Sequence, residues 1–381
     1  MNFEPYPFER LRELIADILP KKKQIILTIG EPQFQTPDFI QEELKNYAPE
    51  LRFYPKSSGE EYLKKAQIDF VKNRFDVSLE SSELISTFGT REVLFNLPQF
   101  LLFDKVHPVI AHPNPFYQIY EGASVACRAK TIYMDLSESN DFKPFLTQQQ
   151  RKQADLVILN SPNNPTGATL SLDELKVWVK WALEDDFILL NDECYSEIYQ
   201  FSPPAGILQA SLEAGNKEFK NILALNSISK RSSAPGLRSG FIAGDKNILG
   251  QYQKYRTYLG CAIPNPIQRA SSKAWEDVVV SEEIRQKYVK NLQIAQELFP
   301  NTTIEPYTFY MWLKVGNDID FTKKLYEQEG ILVLPGSFLG RGGIGREYVR
   351  IALVYEEEII RDSLVILSDF LCDYLKKGFD A

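Results

Sequence analysis

Hydrophobic and polar positions come in alternating blocks along this chain. Through its middle, short continuous apolar runs stop abruptly at polar residues: ADLVILNSP (154–162), FILLNDECY (187–195) and NILALNSISK (221–230). Runs this short, apolar at successive positions, predict strands buried on both faces of a parallel sheet. Between the first two lies SLDELKVWVKWALEDD (171–186), where Leu172, Leu175, Val179, Ala182 and Leu183 share one helical face. Ser171 with Glu174 three residues later is a capping box that starts this helix. EEYLKKAQIDFVKNRF (60–75) reads as another amphipathic helix after a turn at Gly59, and STFGTREVLFNLPQFLLF (86–103) as a turn into a helix. This strand–helix–strand rhythm predicts a doubly wound α/β core.

After about residue 265 the texture changes. A long polar helix (281–299) precedes YTFYMWLKV, the Gly/Arg-rich loop PGSFLGRGGIGRE (335–347), the strand YVRIALV and a final helix. The expected division is a segment 1–36 packing with a small α+β domain over 276–381, and a large domain over 37–275.

Composition narrows the function. With 381 residues, 44% hydrophobic and 25% charged, the chain has the make-up of an ordinary globular protein with room for two domains. A net charge of −8 argues against a basic nucleic-acid surface. Two histidines exclude a multi-histidine metal site, and four cysteines without CxxC spacing suggest neither zinc nor a disulfide framework. The start of the chain has no signal-peptide h-region and no apolar run has the length of a membrane span, so a cytoplasmic protein is expected.

Doubly wound folds collect ligands beyond the carboxyl ends of their strands. Asn164, Asp192 and Lys230 each follow one of the three apolar runs, so they are candidates for one shared site. Ser227 and Ser229 precede Lys230, Arg238 follows it by eight, and Asp192 and Tyr195 are three apart.

With the NPTG turn (164–167), the D-x-x-Y pair, the S-x-S-K lysine and Arg238, the chain resembles the fold-type-I pyridoxal-phosphate enzymes, specifically the class I and II aminotransferases. The resemblance runs from TIGEP (28–32) to VRIAL (349–353). It implies a three-layer αβα large domain with a mostly parallel sheet, and pyridoxal 5'-phosphate as cofactor. Lys230 would form the Schiff base with the cofactor aldehyde and carry the proton at the substrate α-carbon. Asp192 would hold the pyridine nitrogen protonated, with Tyr195 and Asn164 on the phenolic oxygen. Gly89, Thr90 and Arg91 at a helix start, with Ser227, Ser229 and Arg238, would hold the phosphate. Tyr117 would stack on the ring. Arg350 would take the substrate α-carboxylate in bidentate fashion, helped by Gly30 and Asn164. Tyr54 matches a tyrosine that reaches the phosphate in a neighbouring subunit, which implies a homodimer with shared sites. Glutamate and 2-oxoglutarate are the expected amino-group donor and acceptor pair.

Two stretches, PYPFERLREL (5–14) and SKRSSAPGLRSGFIAGD (229–245), resemble more narrowly the bacterial N-succinyldiaminopimelate aminotransferases of lysine and diaminopimelate biosynthesis, although Ser233-Ala234 stands where Asn-Val is usual. The alternatives are an aspartate- or aromatic-type aminotransferase and a β-lyase that shares these residues. Arg341 and Arg346 read as solvated charges, with a distal substrate carboxylate as the other reading. His107 and His112 read as capping or packing residues, and Cys194 as filler.

Overall fold

The computed structural model of the chain describes residues 3–378. Seven strands form its main sheet: β1 (Leu84–Thr87), β2 (Val109–Asn114), β3 (Lys130–Asp135), β4 (Leu156–Asn160), β5 (Ile188–Asp192), β6 (Ile222–Ser227) and β7 (Gly240–Gly244). Their spatial order is β1-β7-β6-β5-β4-β2-β3, with β7 antiparallel to its two neighbours and the other pairings parallel. The three apolar runs became β4, β5 and β6, adjacent and in register, with Asn160 opposite Asp192 and Asp192 opposite Leu225.

The pleat explains why these strands are apolar throughout. In β4, Val157 and Leu159 enter one core layer, while Leu156 and Ile158 enter the layer on the opposite face. The first layer is closed by helices such as Glu61–Phe75 and Leu172–Glu184; the second by Thr90–Leu101 and its neighbours. The Ser171–Glu174 capping box forms as the sequence predicts, with Glu174 N donating to Ser171 Oγ at 3.3 Å and Ser171 N donating back to Glu174 Oε2 at 2.7 Å.

A second sheet is antiparallel: β8 (Tyr310–Lys314), β9 (Leu334–Pro335) and β10 (Tyr348–Ala352), with β10 in the middle. Its core takes Leu292 and Ala295 from the Val279–Leu298 helix and Leu364 and Leu367 from the Glu357–Gly378 helix. The N-terminal region joins this side: Leu27 lies in that core, and Leu11 packs with Trp312, Leu334 and Phe338.

Two features tie the sheets together around the site. An aromatic cluster of Phe34, Tyr195, Tyr288, Phe309 and Tyr310 lies between them. Arg231, next to Lys230 in sequence, is buried and donates to the carbonyls of Ala274 and Asp277 at 2.6 Å each. These carbonyls lie at the carboxyl end of the Asn265–Glu276 helix, so the guanidinium caps it, and a helix carboxyl end favours a cation.

Candidate active site

Six of the seven strands deliver residues to one cavity of about 910 Å³ by a simple geometric rule. The parallel strands β4, β5 and β6 all end at the same edge of the sheet. The antiparallel β7 begins there, with Gly240 opposite both Ser227 and Thr87, so the residues just before β7 arrive at that edge as well. Asn164, Asp192, Lys230, Arg238 and Thr90 thereby line one space, although they are scattered through the sequence.

Asp192 ends β5 and is buried. Tyr120 Oη donates to its Oδ2 at 2.9 Å, and Cys194 N donates to its Oδ1 at 3.2 Å. Burial raises the pKa of this carboxyl, and the two donors pull against that shift by favouring the charged form. An acidic group held this way, in a cavity, is a partner for a cationic ring nitrogen. The carbonyl of the same residue accepts from Asn160 Nδ2 at 2.9 Å, while Asn160 Oδ1 accepts from Asn164 N at 2.8 Å. Asn160 thus pins the NPTG turn to the end of the neighbouring strand.

Lys230 stands on the short Ile228–Arg231 helix that follows β6, and its amine donates to the carbonyl of Gly30. Burial lowers its pKa to about 8, with the positive charges of Arg350 and Arg238 acting in the same direction. That makes a neutral, nucleophilic amine accessible near neutral pH.

On the wall of the cavity the Thr90–Leu101 helix starts without a side-chain cap, so its first N–H groups stay open to an anion. Gly89 precedes it at φ 72°, and a methyl group there would meet the guanidinium of Arg238. Arg238 itself sits at φ 52° after the turn at Pro235 and donates to the Pro235 carbonyl at 2.8 Å. Ser227 Oγ and Ser229 Oγ lie 2.8 Å apart beside it. A helix start, two hydroxyls and an arginine make an anion cradle of phosphate size.

Arg350 projects from β10 and is buried. Nη1 donates to Asn164 Oδ1 at 2.8 Å and Nη2 to the Thr28 carbonyl at 2.7 Å, while Nε has no partner among the described residues. The guanidinium carbon lies 4.4 Å from the centre of the Tyr310 ring. Tyr117 lines the cavity and accepts a hydrogen bond from Arg91 Nε at 2.8 Å. Tyr54 lies outside, fully exposed at 103%.

The residues therefore fit pyridoxal phosphate: an anion cradle, a buried carboxylate, an amine and an aromatic ring line one cavity. Gly30, Tyr195, Ser227 and Ser229 also line this cavity.

Two side chains of the site, Tyr310 and Tyr120, were not singled out by sequence. Tyr310 lies between Tyr195, whose hydroxyl is 3.2 Å away, and Gly30, where a methyl group would collide with its phenol. Tyr120, the donor to Asp192, is in the first turn of the Ile119–Ala126 helix, its ring centre 5.8 Å from that of Tyr117 just before the helix. Arg341, read as solvated or substrate-facing, is neither: it pairs with Glu121 outside the cavity lining. His112 is a packing residue as expected, buried among Phe116, Tyr120 and Tyr133, with its pKa lowered by burial to about 4.

Known proteins resemble this chain closely. The family model for aminotransferase class I and II matches residues 22–361. The LL-diaminopimelate aminotransferase of Natranaerobius thermophilus is 30% identical over 389 residues, covering 98% of this chain and 97% of its own length. Among solved structures, aminotransferase AspB from Helicobacter pylori is 56% identical with a TM-score of 0.96, covering 97% of this chain and 99% of that one. An aminotransferase from Neisseria meningitidis is 37% identical with a TM-score of 0.92, covering 97% and 98%.

Proposed function

We propose, from the premise that this chain belongs to the class I and II aminotransferases, that it transfers the amino group of N-succinyl-LL-diaminopimelate to 2-oxoglutarate. Enzymes of this family use pyridoxal 5'-phosphate, which when bound supplies the electron sink for the negative charge left at the substrate α-carbon. The rest falls to the chain. Arg350 orients the α-carboxylate, with its unpaired Nε and its Tyr310 backing favouring a planar anion. Lys230 would be the base that takes the α-proton and returns it. Asp192 would hold a proton on the ring nitrogen, and Tyr117 would cover the ring and keep water from it.

The observation that carries the aminotransferase reading is the convergence of Lys230, Asp192, Arg238 and Arg350 on one cavity. Its volume of about 910 Å³ is at the upper end of small-molecule sites, room for a cofactor and a substrate together. The succinyl group itself rests on the resemblance of residues 5–14 and 229–245. A second reading, free LL-diaminopimelate as donor, is favoured by relatives of that name.

Tyr54 supports a homodimer with shared sites. It is exposed on a segment that also bares Leu51 and Phe53, and that exposure supports its entry into a neighbour's cavity. The four free cysteines suit the cytoplasm.

The test is the visible absorbance of the cofactor-loaded protein, followed through separate additions of L-glutamate, N-succinyl-LL-diaminopimelate and LL-diaminopimelate. Loss of the band with the first two supports the proposal. Loss with glutamate and only the free diamino acid moves the assignment to the second reading. Pyruvate release from a β-substituted amino acid, without amino transfer, would replace both by a lyase.

A further inference from the structure

The Gly/Arg-rich loop joins β9 to β10, the strand that carries Arg350, and Leu334 of β9 pairs in register with Arg350. Its neck is closed. Gly336 and Gly345 pack so tightly that a methyl group on Gly345 would lie 2.5 Å from the Gly336 carbonyl oxygen, and Tyr348 N donates to the Gly345 carbonyl at 3.0 Å. A loop tied at its neck moves with its two strands.

The tip of the loop grips the main sheet. Arg341 N donates to Asn114 Oδ1 at 2.8 Å, and Asn114 Nδ2 donates back to the Arg341 carbonyl at 3.1 Å. Phe116 N donates to the Leu339 carbonyl at 3.0 Å. The Arg341 guanidinium forms an ion pair with Glu121, the two side chains only 22% and 14% exposed. Glu121 is held in turn by Tyr133 Oη, which donates to it at 3.1 Å. Asn114, Phe116 and Glu121 flank Tyr117, so both ends of this contact border the site. Leu339, on the loop side, lines the cavity with Tyr117. Arg341 and Glu121 do not.

We infer that the Arg341–Glu121 pair, with Asn114, is a latch that sets how far Arg350 stands from the Tyr117 wall, and so governs how tightly any α-carboxylate substrate is held. Arg341 is a positioning residue acting through Arg350; this rests on the reading of Arg350 as the carboxylate arginine. An ion pair with its partner backbone bonds buried at the contact is directional enough to fix one register, and removing either member leaves the other charge without its partner.

The experiment compares the holoenzyme with Arg341→Gln, Glu121→Gln, the double variant, Arg341→Lys and Arg350→Lys, using L-glutamate and L-norvaline as amino donors. A latch predicts that both single Gln variants raise KM roughly tenfold for both donors, with kcat within about twofold. The double variant is no worse than either single one, and Arg341→Lys recovers part of the loss. Partial unfolding would lower kcat and leave KM alone, so the split separates positioning from a purely structural role. If Arg341→Gln weakens glutamate alone and Glu121→Gln changes nothing, Arg341 touches the distal carboxylate and the latch is wrong. If Arg350→Lys raises KM while the latch variants match wild type, the latch fails and the carboxylate reading stands. An Arg350→Lys variant with unchanged KM overturns both.

Discussion

Arg350 Nη1 donates to Asn164 Oδ1 at 2.8 Å across 186 positions of sequence, joining the second sheet to the turn that follows β4. One bond therefore links the group proposed for the substrate carboxylate to a turn that Asn160 pins beside Asp192. On the proposed roles, substrate and cofactor binding would share this frame, and loosening one side should be felt at the other.

Replacing Arg350 by lysine keeps the charge and removes the planar fork. Arg350→Lys is expected to raise the KM for glutamate by roughly tenfold or more, with a smaller fall in kcat. Arg350→Ala should cost about 2–5 kcal/mol in kcat/KM, because the carboxylate then enters a buried site without its partner. Steady-state kinetics decide it, and unchanged KM values remove Arg350 from this role.

Lys230 gives a pH prediction with a definite sign. Its pKa in the folded chain is lowered to about 8 by burial, from 10.5. Only the neutral amine attacks an aldehyde, so capture of pyridoxal phosphate by the cofactor-free protein should accelerate as pH rises through about 8 and then level off. Because the folded chain holds this proton more weakly than the unfolded one, the charged amine costs stability below pH 8. The cost disappears as pH rises from 8 to 10.5. Lys230→Met in the cofactor-free protein should accordingly be more stable than wild type at pH 7, by up to about 3 kcal/mol, with the gap narrowing at alkaline pH. Denaturant melts at several pH values measure this. The same substitution should abolish turnover and covalent cofactor attachment; wild-type turnover in Lys230→Met would sink the assignment.

Gly89→Ala tests the anion cradle. The added methyl meets the Arg238 guanidinium, and φ 72° is unfavourable for alanine. Weaker cofactor retention is expected, on the order of tenfold in Kd, with activity recovered by excess pyridoxal phosphate. Equilibrium dialysis gives the number, and undiminished affinity would place the phosphate elsewhere.

Tyr54 and Lys230 test shared sites. If Tyr54 completes the neighbour's site, mixing Tyr54→Ala with Lys230→Ala and allowing subunits to exchange creates one intact site in each mixed dimer. Roughly a quarter of all sites then regain wild-type composition by random pairing. Activity beyond the sum of the two separate variants is expected; a strictly additive mixture would confine each site to one chain.

By itself the sequence determined the strands, their burial and the chemistry at their ends. Continuous apolar runs at 156–159, 187–190 and 222–225 can be stable only with both faces covered, and a parallel sheet covered on both faces opens its ligand site at the carboxyl edge. Asp192 and Lys230 were legible for that reason, and Arg350 through the VRIAL stretch. Only the tertiary structure decided which side chains answer one another across distant segments. Tyr120 meets Asp192 across 72 positions, Tyr310 meets Tyr195 across 115, and Arg341 meets Glu121 across 220. Nothing local distinguishes a tyrosine that donates to a buried carboxylate from one that only packs. The same holds for Arg341, whose glycine-rich surroundings suggest a solvated loop. Periodicity encodes which face of an element is buried; it does not encode what that face meets, because the partner is chosen by the packing of the whole chain.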